Sequence, residues 1–268
     1  MSTAAAADSL KELRAAYLHL MKRTLTDTIH HHTCSMNGSS ITIHKLDPEH
    51  LRWVGEDWPA LAETMIGLKR MDAVQACVET VLAEDVPGDL IETGVWRGGT
   101  CVFMRAILRA YGVTDREIYV ADSFEGLPPP DETKYPQDAG MTLHEVGYLR
   151  VSMDQVADSF SRYGLLDDKV NFVKGFFRDT LPQLREKRWA VVRLDGDMYE
   201  STMDGLVNLY PNLSVGGFLL LDDYYHIPAS AAATEDYRAR HNITEPIVRV
   251  DNYSGLWRKT APMDEAPH

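Results

Sequence analysis

Cysteine is scarce in this chain: three in 268 residues, Cys34, Cys77 and Cys101. They are too few and too scattered for a disulfide framework or a zinc cluster. Positive charge is also short, with 27 Lys and Arg against 40 Asp and Glu, a net charge of −13. That balance argues against a nucleic-acid partner, which needs a basic surface, and against an anionic membrane. No apolar run approaches the roughly 20 residues that span a bilayer. The N-terminus, MSTAAAADSLKE, lacks a basic start followed by an apolar core. Repeats and low-complexity blocks are missing as well. A reducing cytoplasm is the expected home.

What is present is an ordinary globular composition, 44% hydrophobic and 25% charged, enough for a substantial core. Residues 8–30 carry Leu10, Leu13, Tyr17, Leu20, Met21 and Ile29 at helical spacing. His30-His31-His32 then reads as a solvated helix end. A polar stretch follows through Gly38, Ser39, Ser40 and Pro48, and a second helix is expected from Trp58 to Ala83.

After Pro87-Gly88 strands and helices alternate. The strand candidates are Asp89–Thr93, Ile118–Asp122, Val170–Lys174, Ala190–Asp195 and Gly217–Asp222. Helices are expected at Thr100–Tyr111, Gln155–Tyr163, Asp179–Lys187, Ser201–Tyr210 and Ser230–His241, and a hairpin-like edge from Ile247–Asp251 and Tyr253–Lys259. The pattern predicts a doubly wound α/β sheet, mostly parallel with an antiparallel edge. It divides the chain into an N-terminal helical extension, 1–86, and an α/β domain, 87–268, with a lid-like insertion near 128–150.

Ligands of such folds bind beyond the carboxyl ends of the strands. The first strand runs into Glu92-Thr93-Gly94-Val95-Trp96-Arg97-Gly98-Gly99-Thr100. Its glycines allow a tight turn, close backbone approach to a ligand and a free helix N-terminus. Trp96 stands where a dinucleotide fingerprint needs its middle glycine, which lowers the NAD reading. The second strand ends in Asp122-Ser123-Phe124; an acid there can hold both ribose hydroxyls of an adenosine ligand, with Phe124 against the adenine face. Gly175-Phe176 after the third strand offers close approach beside the adenine edge.

The strongest chemical signal is acidic. Strand four ends Arg193-Leu194-Asp195-Gly196-Asp197 and strand five ends Asp222-Asp223-Tyr224, so four carboxylates converge. Carboxylates brought together repel unless a cation or proton intervenes. No lysine is near, and Arg193 is read as pointing along its strand. Oxygen-only ligands suit Mg²⁺, Mn²⁺ or Ca²⁺ rather than zinc.

These motifs, with Thr64-Met65-Ile66-Gly67-Leu68-Lys69-Arg70, Ser161-Arg162-Tyr163-Gly164-Leu165 and Tyr237-Arg238, resemble the macrocin/mycinamicin group of antibiotic-tailoring O-methyltransferases over about residues 55–258. The resemblance implies a class I methyltransferase fold, S-adenosylmethionine and Mg²⁺ (or Mn²⁺). It also implies a deoxysugar hydroxyl of an aminocoumarin or macrolide antibiotic as acceptor, the noviose 4-hydroxyl foremost. By resemblance, Thr64, Met65, Glu92, Gly94, Asp122, Ser123, Gly175, Phe176 and Asp195 would hold the cofactor, and Asp195, Asp222 and Asp223 the metal.

Asp197 would then take the acceptor's proton, with Asp195 or His144, on the insertion, as the other candidates. A catechol acceptor is an alternative. An NAD-dependent sugar dehydrogenase or epimerase would want a Tyr-x-x-x-Lys pair after strand four, which is missing, and a non-catalytic adenosine-binding scaffold would not need the acids. The leucines and methionine of the first helix predict a homodimer, and the resemblance implies a glycosylated small-molecule substrate.

Overall fold

The computed structural model describes residues 3–46 and 50–263, so Pro48 of the polar stretch lies outside the described residues. The chain opens with α1 (Thr3–Leu25). Leu18, Met21 and Leu25 are buried, whereas Leu10, Leu13 and Leu20 face outward. The helix stops short of residue 30 because side chains compete for its last carbonyls. Thr26 Oγ1 donates to the Lys22 carbonyl at 2.8 Å and shares a hydrogen bond with Thr28 Oγ1 at 2.9 Å.

A hairpin then replaces the expected loop: β1 (His32–Asn37) and β2 (Ser40–Lys45) pair antiparallel. The two-residue Gly38-Ser39 connection, with φ +59° at Gly38, is the turn chemistry that tight hairpins use. The histidine run therefore leads into a strand and does not end a helix.

After the short α2 (Leu51–Val54), the helix expected from Trp58 starts only at Leu68, as α3 (Leu68–Ala83). Trp58–Ala60 are drawn onto the edge of β1 instead, and Glu63 N–H donates to the Leu25 carbonyl at the end of α1. Met36 N–H donates to the Trp58 carbonyl at 2.6 Å, and Ala60 N–H to the Cys34 carbonyl at 2.7 Å.

The α/β part follows as β3 (Asp89–Thr93), α4 (Gly99–Ala110), β4 (Ile118–Asp122), α5 (Met153–Arg162), β5 (Val170–Lys174), α6 (Phe177–Thr180), β6 (Trp189–Leu194), α7 (Tyr199–Leu209), β7 (Leu213–Leu221), α8 (Pro228–Arg240), β8 (Val248–Arg249) and β9 (Gly255–Arg258). The segment expected as a helix over 179–187 is only α6 and a 3₁₀ turn, Leu181–Leu184. Pro182 has no N–H for the Arg178 carbonyl.

The seven strands lie in the order β5-β4-β3-β6-β7-β9-β8. The first five are parallel, and β9 pairs antiparallel with both β7 and β8, as the sequence pattern predicts. β6 is buried along its whole length, as a sheet covered on both faces requires. One core cluster joins α1, α3 and α4 to one face of the sheet, and a second joins α7 and α8 to the other. Among the described residues no helix is long and apolar enough to cross a membrane.

Candidate active site

From β3 the chain winds outward to β4 and β5; from β6 it winds the other way to β7. The carboxyl ends of β3 and β6 therefore part at the switch in strand order, where α/β folds bind ligands. A cleft of about 720 Å³ opens there. Met65, Gly94, Asp122, Ser123, Phe176 and Asp195 line it, so six expected cofactor residues meet in one place.

Asp122 is fixed by its neighbours. Its two carboxylate oxygens accept from Val95 N–H and Phe124 N–H, each at 2.8 Å. Burial raises its proton affinity, and these backbone donors oppose the rise. Gly175 N–H donates to the Asp122 carbonyl at 2.9 Å and supports the turn without itself lining the cleft.

Two expectations about this cleft need correction. Phe124 does not offer a face to a ligand: it is buried, with its ring centroid 6.1 Å from that of Phe172. The glycine loop makes its close approaches to its own chain. A Cβ on Gly94 would sit 1.6 Å from the Asp195 carbonyl oxygen, and one on Gly99 would sit 2.5 Å from that of Glu63. These glycines let β3, β6 and the segment before α3 close together, which shapes the cleft indirectly.

A second cleft, about 970 Å³, adjoins the first. Both clefts are lined by Met65, Trp96, Leu149, Asp195 and Asp197. Thr64, Glu92, Arg70, Asp222 and Asp223 line the second, with Trp58, Leu143 and Tyr253 among its apolar lining. Thr64 thus belongs to this neighbour and not to the cleft of Asp122.

The acids of the second cleft do converge, but not without cations. Arg193 does not run along its strand: its guanidinium bonds Glu92, Asp195 (2.8 Å) and Asp222. Arg70 adds a bond from Nη1 to Asp222 Oδ2 at 2.6 Å and reaches Asp251 at 3.0 Å. Glu92, expected at the cofactor, is buried between Arg193 and the Cys101 thiol, which donates to it at 2.8 Å. Six carboxylates therefore share two guanidiniums, and among the described residues Asp197 and Asp223 have no arginine bond.

The consequences differ residue by residue. Burial works against an ionised Asp222, but Arg193 and Arg70 outweigh it and hold its carboxyl below the ordinary range. Burial and the Asp222 charge push Asp195 well above its usual range, with Arg193 opposing. Asp223 is raised by burial and by Asp197, Asp195 and Asp222. Asp197, held at φ +58°, is pushed up to about 7 by burial and by Asp222. One oxygen of each of Asp195, Asp222 and Asp223 lies within 4.8 Å of the others. An all-oxygen set of that spacing, with surplus negative charge, fits a hard divalent cation.

The insertion over 128–150 is a run of three 3₁₀ turns that contributes Pro128 and Leu149 to the first cleft, and Leu143 and Leu149 to the second. His144 lines neither; its side chain is largely buried within the insertion, with Nε2 3.8 Å from Glu145. The structure does not bring it to the acids. Sequence reasoning missed Asp138, a buried acid that accepts from Tyr199 N–H at 2.6 Å and Glu200 N–H at 3.1 Å. It also gave Arg70 no role and misread Arg193; two arginines beside so many acids were the available signal.

Comparison with known proteins gives this geometry its class. The solved structure titled "Structure of the O-methyltransferase NovP" superposes with a TM-score of 0.86 at 44% identity, covering 92% of this chain and all of that one. The fold and the glycine-turn cleft are thus those of an α/β methyltransferase. The chain belongs to the macrocin O-methyltransferase (TylF) family, whose sequence model matches residues 14–259. It is 51% identical over 252 residues to the 8-demethyl-8-(2,3-dimethoxy-alpha-L-rhamnosyl)-tetracenomycin-C 4'-O-methyltransferase of Streptomyces olivaceus, covering 94% of this chain and 95% of the relative. It is 47% identical over 248 residues to the mycinamicin III 3''-O-methyltransferase of Micromonospora griseorubida, covering 91% and 96%. The protein is an O-methyltransferase, which sets aside the dehydrogenase and scaffold readings.

Proposed function

We propose that this enzyme transfers the methyl group of S-adenosylmethionine to a ring hydroxyl of a deoxysugar already attached to an antibiotic-type natural product. The observation that carries the reading is the shared wall of the two clefts: Asp195 and Asp197 line both. A donor in the cleft of Asp122 and an acceptor in the cleft of Asp223 would meet at those two acids. The 51% relative is named for a rhamnosyl-bearing substrate, which favours a sugar over a catechol acceptor. The 51% relative's 4'-hydroxyl and the 4-hydroxyl of noviose occupy the same ring position, so a 4-hydroxyl of a rhamnose- or noviose-type sugar is the acceptor proposed.

In this reading Asp122 binds the ribose hydroxyls with the outward lone pairs its backbone donors leave free. Ser123 and Phe176 flank the adenosine, and Gly94 and Met65 flank the methionine end. Asp195, Asp222 and Asp223 would hold Mg²⁺ or Mn²⁺, which when bound lowers the proton affinity of a hydroxyl set against it. Asp197 accepts the hydroxyl proton; in the cation-free site burial and the Asp222 charge push it up to about 7, so it takes up a proton more readily than an ordinary carboxylate. The oxygen forms its bond to the methyl carbon as the carbon–sulfur bond breaks, and the sulfonium leaves as a neutral thioether. Alignment of these three atoms supplies much of the catalysis.

Incubating the protein with S-adenosylmethionine, Mg²⁺ and rhamnosyl or noviosyl glycosides tests this by mass spectrometry. A gain of one methyl on the sugar, lost in Asp197→Asn, is the expected result. Transfer to catechols only, or to no glycoside, would overturn it.

A further inference from the structure

Five tryptophans occur in the chain, and one stands apart. Trp58 keeps 41% of its surface exposed while lining the second cleft. Its ring lies nearly parallel to that of Tyr148, with centroids 5.1 Å apart and 14° between planes. Tyr148 is held in turn. Its hydroxyl donates to the Pro59 carbonyl, its own carbonyl accepts from Trp96 Nε1 at 3.1 Å, and the Arg97 guanidinium lies 5.7 Å from its ring. Arg97 also sits 4.2 Å from the Trp96 ring and donates to the Ala60 and Ala62 carbonyls.

The backbone beneath Trp58 is fixed as well. The β1 edge takes its carbonyl, and Pro59 bridges to Ser35. The N-terminal hairpin thus serves to hold one indole at the cleft. A large aromatic side chain left half-exposed forgoes burial energy, so so many supports around an unburied ring call for a ligand that completes the stack. The acids lie in the same cleft, and Leu143 and Tyr253 add further apolar lining. Sugar-sized, polar chemistry belongs at the acids; a flat apolar group belongs against Trp58.

We propose that Trp58 is the aglycone platform of the acceptor site, and that it selects glycosides whose aglycone is a planar aromatic ring system. This rests on the deoxysugar reading above. Stacking on a rigid, preoriented indole gains affinity without the cost of ordering a loop. Face-to-face aromatic contact with its burial is worth about a tenfold change in affinity.

The test is calorimetric titration of 1-naphthyl α-L-rhamnoside and methyl α-L-rhamnoside into wild type, Trp58→Ala and Trp58→Phe, each saturated with S-adenosylhomocysteine. The S-adenosylhomocysteine titration itself reports folding and reads the methyltransferase assignment separately. The naphthyl glycoside should bind wild type about tenfold more tightly than the methyl glycoside. That preference should vanish in Trp58→Ala and largely survive in Trp58→Phe. A preference unchanged in Trp58→Ala, or equal loss for both glycosides, would overturn the proposal. So would a change of oligomeric state by sedimentation in Trp58→Ala, which would assign the indole to a subunit contact.

Discussion

Arg193 and Asp222 are joined across neighbouring parallel strands: the guanidinium at the end of β6 bonds the carboxylate that follows β7. Arg70, from α3, takes the other oxygen of the same carboxylate. Asp222 is thereby kept ionised and fixed in direction before any cation arrives. Asp195 and Asp223, less compensated, hold their protons more tightly. One acid is preset and two are waiting for charge.

Removing Arg193 leaves Glu92 buried with only the Cys101 thiol, and leaves Asp222 to Arg70 alone. Arg193→Gln should lower stability by about 3–5 kcal/mol, the usual cost of breaking a buried ion pair. A divalent cation would replace part of the missing charge. Thermal unfolding with EDTA and with Mg²⁺ should therefore show the larger loss in EDTA; equal losses would mean that Arg193 and the cation act on different groups.

The raised acids set a pH dependence. Because Asp195, Asp197 and Asp223 titrate higher folded than unfolded, the folded protein binds more protons between the ordinary carboxylate range and about pH 7. Stability of the metal-free protein should fall as pH rises through that window. Asp222 has the opposite sign, and its contribution is lost only as pH falls below that range. Melting in EDTA at pH 5.5 and 7.5 should give the higher midpoint at pH 5.5, and Mg²⁺ should narrow the gap. A higher midpoint at pH 7.5 in EDTA would contradict the assignment.

Asp138 caps the first turn of α7 from within the insertion. It ties the 128–150 segment to the chain just after Asp197. Asp138→Ala should cost about 0.5–2 kcal/mol, as lost helix caps do. It should raise KM for the glycoside more than it changes S-adenosylhomocysteine affinity. Hydrogen exchange over 128–150 should speed up; unchanged exchange would show that the segment is held elsewhere.

Leu10, Leu13 and Leu20 leave an apolar stripe on the outer side of α1, and Ile41 and Ile43 are exposed on β2. We expect these faces to meet in a homodimer. Deleting the first 50 residues would also remove Leu18, Met21 and Leu25 from the core, so point changes are the cleaner probe. The Leu13→Asp, Leu20→Asp double variant should sediment as a monomer with its melting point nearly kept. A wild type that is already monomeric would end the dimer expectation.

The parallel strands were legible because each is a short apolar run with a motif at its carboxyl end, and three of the five match the sequence reading residue for residue. The N-terminal hairpin was not legible: β1 and β2 are polar, and their strands are stabilised by pairing and by the Trp58–Ala60 segment, not by alternating burial. The same pairing hid the start of α3. At the site, the acids were visible as residue types at strand ends. Which of them was compensated depended on Arg70, 152 positions from Asp222, a relation no local pattern carries. His144 failed for the reverse reason: residue type alone brought it forward, and the 3₁₀ turns of the insertion point Leu143 at the cleft instead.

The most direct measurement is calorimetric titration of the full-length protein with S-adenosylhomocysteine, with and without EDTA, beside Asp122→Asn. The account predicts saturable one-to-one binding that survives EDTA, because Asp122, Ser123 and Phe176 line only the donor cleft, and of the three acids that would hold the cation only Asp195 borders it. It also predicts at least about tenfold weaker binding in Asp122→Asn, where charged acceptors for the ribose hydroxyls are lost. No binding under any condition, or binding indifferent to Asp122, would contradict it.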